Sequence, residues 1–84
     1  MIFKIFSVFD SKAETYNTPL FLPAAGQAIR AFEDQANEET SEIYKHPEDY
    51  TLFEIGTFDS DIGKVEPLQT PKSLGVAIEF KKEA

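Results

Sequence analysis

Few residues in this chain could do chemistry. A nucleophilic triad needs a base beside its nucleophile, and His46, the only histidine in 84 residues, is the one ordinary candidate. Pro47, Glu48 and Asp49 follow it, which is the setting of a turn residue. The chain contains no cysteine, so disulfide scaffolds and thiolate metal sites are excluded. It also has no glycine-rich phosphate loop and no histidine cluster to anchor a nucleotide or a metal. Asp59, Asp61 and Gly63 imitate the opening of a calcium loop. Such a loop needs an oxygen ligand where Gly63 stands, glycine where Lys64 stands and glutamate where Thr70 stands. A hairpin turn explains these residues better. The adjacent acids Glu38 with Glu39, and Glu48 with Asp49, lack the apolar setting that would raise a carboxyl pKa for acid catalysis. The chain therefore reads as a non-enzyme with no cofactor and no metal.

Nucleic-acid binding asks for different parts. Stacking on an exposed aromatic ring contributes about 1–3 kcal/mol per base and needs less positive charge than phosphate binding does. Lys4, Phe6, Lys12, Tyr16, Arg30 and Lys72 would form such a face if the first strand lies beside the connection that follows it and beside the polar side of the helix. The competing reading puts Phe6 in the core and leaves the bases as scattered solvating charges.

Charge decides what kind of binder is permitted. With 8 basic and 15 acidic residues, the net charge of −7 excludes a histone-like or packaging-peptide role. The charge is unevenly spread: residues 31–61 hold ten acids against Lys45 alone, for −9, and the remainder carries +2. The acids of the middle solvate a helix surface and its loop. They could also form a patch, Glu38, Glu39, Glu42, Glu48 and Asp49, that meets a basic partner protein. At 42% hydrophobic and 13% aromatic residues the chain should fold as one domain over residues 1–84. The apolar start is interrupted by Lys4 and lacks a basic leader and a small-residue cleavage site, so it does not read as a signal peptide. No run approaches the roughly 18 apolar residues needed to span a bilayer. A soluble cytoplasmic protein without a membrane partner is expected.

The elements that must position these residues follow from periodicity. Residues 2–10 read as a strand with Ile5, Ser7 and Phe9 on one face and Phe6 and Val8 on the other, which suits a central strand or one whose second face meets another subunit. In residues 11–23, Pro19 and Pro23 bracket Leu20, Phe21 and Leu22, so an extended segment packed over the core is expected in place of a regular ladder. Ala25, Ala28, Ile29, Phe32 and Ala36 mark one face of a helix over 24–36. Gly26 in its first turn suggests close packing there, of helix on sheet or of an anion at the helix start. Residues 37–49 suggest a helix exit and one short helical turn stopped by Pro47. Residues 50–58 read as a second strand, 59–63 as a turn, and 64–68 as a shorter third strand ended by Pro67. Residues 73–80 fit a last strand or a short helix, and their Val, Ile and Phe content with Gly75 favours the strand. The expected fold is α+β: a small antiparallel sheet of three to four strands with one main amphipathic helix packed on it.

Three stretches, FDSKAE from Phe9, the G-x-A-I-R-x-F run from Gly26, and HPEDYTLFEIGTFD from His46 followed by Gly63, occur in this order across most of the chain. Together they resemble the small nonstructural protein of gokushoviruses, the tailless single-stranded DNA phages of the Microviridae. The resemblance implies an early phage protein of the host bacterial cytoplasm that acts in genome replication, as a single-stranded DNA-binding factor or a control on single-stranded DNA synthesis before packaging. It supplies no catalytic motif and no DNA-contact residue. The alternative is an acidic regulator that engages a phage or host replication protein without binding DNA. A first strand with two apolar faces, in a chain with so small a core, also points to a C2 homodimer.

Overall fold

The computed structural model describes residues 1–82. The chain forms β1 (Ile2–Asp10), β2 (Thr15–Tyr16), β3 (Leu20–Leu22), α1 (Ala25–Ala36), α2 (Glu42–Lys45), a 3-10 turn at Pro47–Asp49, β4 (Tyr50–Asp59), β5 (Lys64–Val76) and a 3-10 turn at Ala77–Phe80. This is the expected α+β arrangement, with five strands where three to four were anticipated. All pairings are antiparallel in the order β2-β1-β4-β5, and β3 pairs with β1 beyond β2. β1 and β4 are the interior strands.

Helix α1 lies where its apolar stripe predicts. Ala28, Phe32 and Ala36 are buried with Phe6, Leu52 and Ala77, and Val8, Leu22, Ile29, Ile43, Tyr50, Leu74 and Phe80 pack around them. The start of α1 is capped by the Gln27 side chain, whose Oε1 accepts from Ala24 N–H at 3.2 Å. Gly26 packs against nothing: a Cβ placed there would meet no atom within 4 Å. The tight approach expected at that glycine is therefore absent, because Gly26 lies on the exposed side of α1 while its neighbour Ala25 packs on the core. Ser41 caps α2 through its hydroxyl, which accepts from the Ile43 and Tyr44 amides at 3.0 and 3.3 Å.

Three expectations about the strands need correction. Leu20, Phe21 and Leu22 do form a ladder, opposite Phe6, Ile5 and Lys4 of β1. The flanking prolines sit outside it, so no N–H is lost from the pairing. β5 does not stop at Pro67 but continues to Val76. It is an edge strand and tolerates Pro67 opposite Gly56, while residues 68–71, including Pro71, bulge away between the Gly56–Pro67 and Glu54–Lys72 pairs. Residues 73–80 are divided: the first four finish β5, and Ala77–Phe80 turn as a 3-10 helix. That turn folds Ala77 and Phe80 back onto the core, with the Phe32 and Phe80 rings 5.9 Å apart.

Candidate nucleic-acid interface

Alternation along β1 splits the sheet into two unlike faces. Phe6 and Val8 point to the helix side with their β4 partners Glu54 and Leu52, and with Tyr50 opposite Asp10. The other face is formed by Phe3, Ile5, Ser7 and Phe9, paired with Phe58, Gly56, Phe53 and Thr51 of β4. Register adds Tyr16 opposite Phe9, Phe21 opposite Ile5, and Val65 opposite Phe58. Among the described residues this second face carries six aromatic rings and no charged side chain, and no helix covers it.

The rings form two groups. In the first, Phe9 and Tyr16 have centroids 4.9 Å apart, and Phe53 lies 6.4 Å from Phe9 and 5.8 Å from Tyr16. In the second, Phe58 lies 6.3 Å from Phe3 and 5.7 Å from Phe21. Tyr16 is 44% exposed and Phe21 49%. Phe53 meets Phe9 and Tyr16 edge to face, as Phe21 meets Phe58, and the other two pairs are tilted, arrangements that leave outer faces open for stacking.

The six proposed contacts do not assemble as the sequence suggested. Phe6 has no exposed surface and belongs to the core, so it cannot meet a base. Lys4 shares the helix side with Phe6, and its ammonium lies 3.8 Å from the buried Glu54 carboxylate, to which it is committed. Arg30 stands on the solvent side of α1, opposite the buried stripe of Ala28 and Phe32. Tyr16 does lie on the aromatic face. Lys12 is in the β1–β2 turn at its edge, held by Asp10 Oδ1, which accepts from the Lys12 amide at 3.0 Å. Lys72 is exposed on edge strand β5, next to Ser73, which pairs with Phe53. Its own partner is Glu54, so Lys72 belongs to the helix side with Lys4 and Phe6, and the structure gathers only Tyr16 and Lys12 beside Phe9 and Phe53. Phe9 and Phe53 were missed as contacts because their neighbours' spacing is equally that of buried residues.

A model of the phage ORF5 protein family matches residues 3–80. The chain belongs to that family. It is thereby a small phage nonstructural protein of the gokushovirus kind, and both ring groups lie within the matched span. Protein ORF5 of Chlamydia phage 1 is 33% identical to it over 67 residues, which cover 75% of this chain and 70% of that protein. No solved structure matches the chain.

In this ORF5-family chain the acidic residues gather at the end of the sheet where β1 finishes and β4 begins, the end that also carries Phe9 and Tyr16. Glu38 and Glu39 lie in the connection after α1, Glu42 opens α2, and Glu48 and Asp49 occupy the 3-10 turn before β4. His46 Nε2 is 3.9 Å from Glu42 Oε2, and the His46, Glu48 and Asp49 ligand atoms lie within 4.8 Å of one another on the surface. Burial raises the pKa of Tyr50, at the foot of this acidic end, and Asp10, Glu42 and Asp49 add to the rise by opposing a phenolate. Asp59 and Asp61 belong to the β4–β5 turn, as the hairpin reading requires: Asp59 accepts from the Asp61 and Gly63 amides, at 3.0 and 2.8 Å. Under α1 a cleft of about 90 Å³, lined by Val8, Leu20, Ala28, Phe32, Ile43 and Leu52, is too small and too apolar for a nucleotide.

Proposed function

We propose that this protein acts without catalysis in viral genome replication in the host cytoplasm, by binding single-stranded DNA on the open aromatic face of its sheet. The supporting observation is the Phe9, Tyr16 and Phe53 group. It is a ring platform on an antiparallel sheet, with Lys12 in the turn at its edge. Bases stack on such a platform without sequence preference, since every base has a π-face, and Lys12 holds an adjoining phosphate. The net charge of −7 is compatible with this because stacking carries most of the affinity.

Fluorescence anisotropy with labelled oligothymidylate tests the proposal. Binding is expected at low salt, with a log–log salt slope of only about −0.7 for one neutralised phosphate. Tyr16→Ala should weaken binding roughly 5- to 100-fold, and Tyr16→Phe should preserve it. Absence of binding at low salt would sink the proposal. It would favour the second reading, in which Glu38, Glu39, Glu42, Glu48 and Asp49 engage a basic site on a replication protein. That reading is supported by the clustering of these acids at one end of the molecule.

A further inference from the structure

The second ring group stands in a different setting. Beyond Lys4 on β1 and Thr57 on β4, the sheet extends past the helix-packed core as a three-stranded arm made of the start of β1, the end of β4 and the start of β5. The rings of Phe3 and Phe58 continue the apolar face along this arm, with Phe21 of β3 against Phe58 at its base and Val65, which is 57% exposed, beside them. Ile2 and Ile62 are exposed at the arm's end.

Charge excludes a polyanion from this patch more strongly than from the first. The arm's cations are already paired. The Met1 ammonium lies 3.0 Å from Asp61, Lys64 lies 3.1 Å from Glu66, and Lys4 faces Glu54. What is left is a neutral apolar surface on a chain of net charge −7. Two copies of such a chain repel one another everywhere except where both present no charge, and a neutral face meets itself across a two-fold axis without opposing like charges.

The shape agrees. The Cα radius of gyration is 13.2 Å, whereas a compact chain of this length has about 12 Å. The excess comes from an arm that one chain cannot cover. A small strand group without a packing layer is marginal in water, yet the ladder here is regular to its tip. We propose that a second copy of this chain covers the arm, giving a C2 homodimer in which Phe21, Phe58 and Val65 of each protomer pack on their counterparts. The proposal is independent of DNA binding, which uses the other ring group.

Sedimentation velocity from low to high micromolar concentration tests it. The wild-type chain should sediment at twice 9.5 kDa. Val65→Asp and Phe21→Asp should each raise the dissociation constant about tenfold or more with an unchanged far-ultraviolet circular dichroism spectrum. Arg30→Asp, which alters charge on the solvent side of α1, should remain dimeric. A wild-type chain that stays at 9.5 kDa throughout, or a folded Val65→Asp chain that stays dimeric, would overturn the proposal. Should both variants unfold, hydrogen exchange on the wild-type chain decides the matter. The Phe3, Phe58 and Val65 amides should exchange more slowly as concentration rises, and exchange independent of concentration would refute the interface. Loss of dimerisation with DNA binding retained, or the reverse, separates this proposal from the functional one.

Discussion

One ring determines how the described chain ends. Gly75 adopts φ +138°, and a Cβ placed there would lie 2.7 Å from the Phe80 ring. Gly75→Ala should therefore cost about 1–3 kcal/mol in backbone strain and displaced packing, read from the urea midpoint. Gly26→Ala should do the opposite. Its position is helical and open, so the substitution should add up to about 1 kcal/mol by removing unfolded-state entropy. Phe6 teaches the related lesson about reading single residues. Alternation correctly divides β1 into two apolar faces, but it cannot say which face the helix takes. That depends on Ala28, Phe32 and Ala36 meeting Phe6 and Leu52 across the fold. Tyr16 was recognisable as a stacking residue because it sits in a polar connection. Phe53, its partner at 5.8 Å, was indistinguishable from core.

Among the elements, α1, β1, β4 and the β4–β5 turn were legible because each follows one local rule: helical spacing, strand alternation or turn chemistry. β5 and the segment after it were not, because prolines end a strand only when both edges are paired and β5 pairs on one. The last 3-10 turn depends on a partner far away in sequence. Asn37, at the end of α1, donates from Nδ2 to the Glu33 and Phe80 carbonyls at 2.9 and 3.1 Å, and its Oδ1 accepts from the Lys82 amide at 2.7 Å. The Lys81 ammonium completes the clasp 4.0 Å above the Tyr44 ring. Asn37→Ala should cost about 1–3 kcal/mol and speed amide exchange at Lys82. Unchanged exchange there would show that the clasp does not hold in solution.

At the scale of the molecule, three surfaces are distinguished: an acidic end around α2, a ring platform beside Lys12, and the uncharged apolar face of the arm. The uneven charge was countable in the sequence, but its distance from the arm is a product of topology, which sends residues 37–49 to the end of the sheet opposite the β4–β5 turn. The same topology has a consequence in time. The β4–β5 hairpin closes over residues 60–63, whereas β1 reaches β4 only after residues 11–49 have been looped out. The longer closure costs about 2 kcal/mol more in chain entropy, so the hairpin should form early and the helix dock late. Gly63, at φ +68° in the turn, should then act on the folding rate: Gly63→Ala slows folding, and Ala28→Gly in α1 mainly speeds unfolding. Stopped-flow measurements on dilute protein would show the two effects on opposite limbs of the chevron, and the reverse assignment would mean that β1 seeks β4 first. A chain folding in this order exposes the uncharged Phe58 and Val65 face of its hairpin before the acidic end is folded, so subunits could recognise one another before either has finished folding.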